Sequence, residues 1–155
     1  MQLNSKVAVV GQRLKSTPED VRSMPMAGAG TLNDGQVACD AGDGVRCSVV
    51  GGGLRPIGIV VHQHIGKNGT DSSGKEAYQQ YDVPPIMRVG RIWVKPAVPI
   101  TATGGKVYVR TANATTNNPL GSYQTSATDG TELVGATWDC ISNADGMAIV
   151  QLRGA

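Results

Sequence analysis

The chain has 155 residues, 40% hydrophobic and 17% charged, with 14 Lys and Arg against 12 Asp and Glu and a formal net charge of +2. That length is one domain's worth, and that apolar content sustains a packed core, which excludes disorder throughout. The lean charge has no Lys/Arg block longer than a pair, which excludes the electrostatic footprint of a nucleic-acid binder, and no run approaches the ~18 apolar residues of a membrane-spanning helix.

The core must be assembled without phenylalanine, from Val, Ile, Leu, Ala and Met with two Trp and four Tyr. The 21 glycines are roughly twice the usual share of about 7%. Glycine reaches positive φ without strain, so they predict many turns between short strands. Residues 6–10 are a short apolar run ended by Gly11, too short for a signal peptide. Residues 12–33 are rich in Pro, Met, Gly and Ser. Within them Ser16-Thr17-Pro18-Glu19-Asp20 has the cap, proline and acids of a helix start. No apolar period follows, so one helical turn or none is expected, and the stretch reads as an arm or loop that orders against a partner.

From Gly35 the texture changes to strands and turns. Strands are predicted at 36–39, 45–50 and 56–61, with turns at 40–44 and at Gly51-Gly52-Gly53. Residues 66–74 are polar and glycine-rich, hence a surface loop. The clearest strand is 86–94, where Gly90 interrupts the alternation and marks a bulge or bend. Residues 106–110 alternate cleanly, with Val107 and Val109 on one face and Lys106, Tyr108 and Arg110 on the other. A polar loop at 111–118 and the Asp129-Gly130 turn precede the last two strands, 132–140 and 146–152. No helical pattern separates the strands, which argues against a parallel sheet. The expected fold is all-β: a single-domain antiparallel jelly roll or β-sandwich, with a small β-barrel as the alternative. Residues 1–34 are expected as a largely irregular N-terminal arm or loop and 35–155 as the β domain.

Few constellations carry chemistry. His62 and His64 would share one face of a strand and, with Cys39, Cys47 or Cys140, hold zinc, but no ligand pair has CxxC or HExxH spacing. The plain alternative is two polar residues ending a strand. Three cysteines are a poor fit to a secreted disulfide framework, and pairing of Cys39 with Cys47 stays open. No GxSxG elbow is present, and Asp34, Asp40, Asp43, Asp71 and Asp129 sit where Asp caps turns. Neither Gly51-Gly52-Gly53 nor Gly28-Ala29-Gly30 leads into a phosphate-binding helix. Trp93 and Trp138 lack the Lys/Arg field that base stacking needs, so they read as core or interface anchors. No catalytic residue, metal or cofactor is expected.

Six motifs in order resemble one family, the structural cement proteins of tailed-phage capsids. Val89-Gly90-Arg91-Ile92-Trp93-Val94 is similar to that family's Arg-Gly-Arg-Ile-Trp-Val, with Val89 in place of the first Arg. Upstream, Arg55-Pro56-Ile57-Gly58-Ile59-Val60 resembles its Gly-Ile-Ala strand. Downstream, Gly105-Lys106-Val107-Tyr108-Val109-Arg110, Leu120-Gly121-Ser122-Tyr123, Gly135-Ala136-Thr137-Trp138 and Gly146-Met147-Ala148-Ile149-Val150 follow in the family's order.

The resemblance implies a virion protein on the outer capsid surface, made in the host bacterial cytoplasm. It would bridge subunits of the major capsid protein and brace the head against packaged DNA. Its partners would be that capsid protein and copies of itself, as homodimer or homotrimer, with no nucleic acid, membrane or enzymatic activity. Met24, Met26, Trp93 and Tyr108 are the candidate capsid or subunit contacts. The alternative function is a β-rich head-fibre or adhesion module binding host glycan.

Overall fold

The computed structural model describes residues 8–14 and 18–153. Lys6 and Val7 of the apolar run, and Ser16 and Thr17 of the helix-start pattern, lie outside the described residues. Among those described there is no helix, and twelve strands follow in order: β1 (Arg13–Leu14), β2 (Asp20–Ser23), β3 (Val37–Asp40), β4 (Cys47–Ser48), β5 (Pro56–Val60), β6 (Gly69–Thr70), β7 (Glu76–Ala77), β8 (Pro85–Val94), β9 (Lys106–Arg110), β10 (Tyr123–Gln124), β11 (Gly130–Trp138) and β12 (Ala148–Arg153). Ten of these make one antiparallel sheet, while β6 and β7 pair separately as a small hairpin. The all-β antiparallel expectation holds.

The longest strand, β8, organises the sheet. Met87 pairs with Val21 of β2 and Ile59 of β5, Val89 with Asp20 of β2 and Arg153 of β12, and Ile92 with Arg13 of β1 and Val150 of β12. A strand residue has one neighbour on each side, so β1 and β2 run end to end along one edge of β8. Along the other edge run β5 and β12, each leading a wing: β5-β3-β4 and β12-β11-β9-β10. Asp20 faces Val89 while the next residue, Val21, faces Met87, which leaves Arg88 as an extra residue in β8. The bulge lies at Arg88, two residues before the Gly90 at which the sequence predicted a bulge or bend; Gly90 itself takes φ 135° and keeps its register with Leu152 of β12. The effect of the bulge is to reverse the alternation. Met87 and Ile92, five positions apart and so on opposite faces of an unbroken strand, both enter the same core.

The sheet curls into a half-barrel because its two wings close on that core. Val37, Ile59 and Val61 from one wing meet Val107, Val109, Leu133, Ala136 and Trp138 from the other. Tyr123 on β10 spans the gap: its hydroxyl donates to the Gly35 carbonyl at 2.6 Å, and its ring meets Trp138 edge-on at 6.3 Å. In the absence of Phe, this pair supplies the aromatic bulk.

A second core covers the back of β3, β5 and the first half of β8. Ala38, Val60 and Ile86 point into it and are roofed by Met24, Met26, Leu32, Cys47 and Tyr78. The described residues of the N-terminal segment carry β1 and β2 and are otherwise without strand or helix, and they are tied into the body. Beyond β2, the Met26 N–H donates to Asp82 and the Leu32 N–H to Tyr78, and isolated bridges join Met26 to Cys47 and Leu32 to Tyr78.

Candidate functional site

The residues singled out for metal chemistry form a structural clamp. His62 Nδ1 lies 2.7 Å from Asp34 Oδ2, and the same oxygen accepts from Lys67 Nζ at 2.8 Å. Lys67 also donates to the Gln63 carbonyl, closing the loop 62–68 on itself, and the His64 ring packs edge-on against His62 at 4.7 Å. The thiols lie elsewhere. Cys39 pairs with Ser48 and Cys47 with Asp40 on the adjoining strand, so the two side chains leave opposite faces of the pairing, and all three cysteines are free. Burial pushes both the Cys39 and Cys47 thiols up to about 11, so they stay protonated at neutral pH, whereas a metal takes the thiolate. Among the described residues no group of three or more His, Cys, Asp and Glu converges to hold a metal ion.

Two kinds of surface present half-buried or exposed aromatic and apolar side chains. The first is the outer face of the β8-β12-β11-β9 wing. Alternation turns Trp93 away from Ile92 and Val94, and Tyr108 away from Val107 and Val109. Both are half-buried and lie on the face that also carries exposed Val134. Nearby charges are neutralised in pairs: the Arg91 guanidinium donates to Asp139 with its Nε at 2.7 Å, and Lys106 reaches Glu132 at 3.4 Å. Met24 and Met26, by contrast, are 8% and 1% exposed. Their flexible side chains fill the back core.

The second surface is built from loops, and sequence reasoning missed it. Asp82, only 6% exposed, accepts backbone N–H bonds from Asn68 and Gln79, both at 2.9 Å, and a third bond from the Asn68 side-chain amide. Burial by itself would raise its pKa, but these three donors outweigh burial and hold the carboxyl below its ordinary range. Asp82 thereby latches the loop 62–68 to the turn 79–82. The loop displays Ile65, 74% exposed, and the turn displays Tyr81, 81% exposed, followed by Val83. No period marks these residues. The available signal was an aromatic residue inside a polar, turn-forming stretch ahead of Pro84-Pro85.

Comparison with known proteins places this geometry in a lineage. The fold is shared with a chain from the capsid of Myoviridae phage XM1, at a TM-score of 0.67 and 17% sequence identity over 98% of both chains. No curated protein matches the chain. A family model described as structural cement protein (E217 gp24/Pam3 gp6) matches residues 1–153, almost the whole length. The half-barrel with its bent central strand therefore belongs to a phage virion component, and the chain is a member of the structural cement protein family.

Proposed function

We propose that this protein is bound on the outside of a tailed-phage head, bridges neighbouring major capsid subunits and stabilises the shell against internal DNA pressure. The observation that carries the reading is the family match over residues 1–153. The molecule has properties suited to the task. A curled sheet with a core on both faces of its β5 wing is stiff, and a cement must transmit load without yielding. A bridging protein also needs two contact surfaces, because the second contact becomes intramolecular once the first is made and a lattice multiplies the gain. The outer face with Trp93 and Tyr108 supplies one, suited to a sister copy in a homodimer or homotrimer: aromatic residues are enriched at interface centres. No step of this role requires catalysis.

The test is co-sedimentation of the purified protein with empty heads of its own phage, expanded and unexpanded. Saturable binding at a fixed ratio to the major capsid protein, with heads that withstand higher temperature once coated, is the expected result. Absence of binding to both forms would overturn the proposal.

A further inference from the structure

The turn that presents Tyr81 is built against local preference. The Asp82 N–H donates to the Gln79 carbonyl at 3.0 Å, and Tyr81 takes φ 74° while Gln80 stays at negative φ. This is the pattern of a type II turn, whose third position calls for glycine. Among the described residues two other non-glycine residues have positive φ, Asn113 and Asp129, and both are types that tolerate it. A tyrosine there is strained, and the strain gains the monomer no packing, since the ring is 81% exposed. What maintains it is the frame: Asp82 on one side and the Tyr81 N–H bond to the Met26 carbonyl on the other. Strain held in place by buried hydrogen bonds, for a side chain left in solvent, marks a site preorganised for contact.

The ring stands at one wall of an open groove between residues 79–81 and the exposed glycine-rich segment 28–31. Among the described residues no charged one lines the groove. It is lined by the polar residues Gln79 and Gln80 on the side of Tyr81 and by Gly28, Ala29, Gly30 and Thr31, which have small side chains or none, on the other. We propose that this groove docks an uncharged, extended segment of the capsid subunit, with Tyr81 as the anchor. Polar residues facing small ones suit an extended chain, and the aromatic ring gives it apolar area. The size of the patch favours the shell over a second copy. One aromatic side chain buries about 150–250 Å², so a turn and a short segment fall below the roughly 800 Å² per partner of a stable free dimer. A small contact of this kind becomes effective on a lattice that repeats it. The inference rests on the cement reading above and assigns that reading's shell-facing surface.

The experiment compares wild type, Tyr81→Gly, Tyr81→Asn and Tyr81→Phe for binding to expanded heads, with a urea midpoint for each and Ile141→Ser as an exposed apolar control on another loop. Glycine and asparagine both accept the backbone, so their midpoints should equal or exceed wild type while binding weakens at least tenfold. Phenylalanine keeps the ring and should bind within about threefold of wild type, as should the control. Wild-type binding by Tyr81→Gly and Tyr81→Asn would overturn the assignment while leaving the cement role standing. Failure of the wild-type protein itself to bind would overturn the cement role. A glycan-array signal lost in Tyr81→Gly, with head binding unchanged, would reassign the groove to a sugar.

Discussion

Gly58 shows how one missing methyl positions two strands. A Cβ there would fall 2.4 Å from the Met87 carbonyl oxygen and 2.7 Å from Ile86 Cγ2, so β5 could not approach β8 as it does. Gly58→Ala should lower the unfolding free energy by about 1–3 kcal/mol, the usual result of forcing atoms into a packed site. Urea denaturation checks it, and an unchanged midpoint would mean that β5 can shift without loss. Asp82 has the opposite character, a buried carboxylate fully used by donors. Asp82→Ala leaves the Asn68 and Gln79 donors unmatched and should cost about 1–3 kcal/mol, with faster proteolysis within 62–82 than elsewhere as the local readout. At this scale the sequence was informative where a residue acts alone. Asp40 and Asp43 were read as turn caps and do bind backbone N–H groups of their own turns. Gly58 and Asp82 were not legible, because each matters through a neighbour distant in the chain.

Among the elements, strands with a pattern were found and strands without one were not. Residues 106–110 and 86–94 were read from alternation and are β9 and β8 almost to the residue. The two-residue strands β1, β6, β7 and β10, and the four-residue β2, were missed. Two to four residues carry too little periodicity to declare themselves, and they are strands because a partner supplies the hydrogen bonds. The same limit hid the fate of Met24 and Met26. An apolar, glycine- and proline-rich segment without its own structure can fold onto a partner or back onto its own sheet, and here it folds back. Met26→Ala should therefore reduce stability by about 2–5 kcal/mol, seen as a lower urea midpoint, before any effect on assembly. A variant with wild-type stability and weakened head binding would return Met26 to the interface.

In the whole molecule, β8 belongs to both wings: the main core is shared between them, and the back core of the β5 wing also takes in Ile86 of β8, so opening either wing uncovers the shared core and strips the central strand. Unfolding should be a single transition, with fluorescence of Trp93 and Trp138 and far-UV circular dichroism tracing one curve. Separate midpoints would show that the wings are independent. The pH dependence follows from groups that fold into specific environments. Asp71 is drawn down to about 2, first by the Ser73 hydroxyl and then by the Lys75 N–H, and Asp40, Asp43 and Asp82 are also held below the ordinary carboxyl value. The unfolded chain binds these protons more readily, so their stabilisation is present above about pH 4 and is lost as pH falls toward 2. On the alkaline side, burial raises Cys39 and Cys47 to about 11. Stability should hold below about pH 8.5 and decline as pH rises through 11, with both thiols unreactive toward alkylating reagents in the native protein. Urea midpoints measured from pH 2 to 11 test both limbs.

The sequence by itself determined the class of fold, the main strands and turns, and the family, because alternation, glycine and aspartate at turns, and short motifs in fixed order are local properties of a chain. Tyr108 was legible on the outward face for the same reason, since it alternates with Val107 and Val109, whereas Trp93 was read only as a core or interface anchor and the fold leaves it half-buried on the outer face. Only the tertiary structure decided that β8 is shared, that the N-terminal segment roofs the back core, and that the turn at 79–82 holds an aromatic ring in solvent. Those depend on which distant segments meet. A bulge at Arg88 redirects a strand, a carboxylate at 82 latches the loop carrying Asn68, and the surface that results is written in no contiguous stretch of residues.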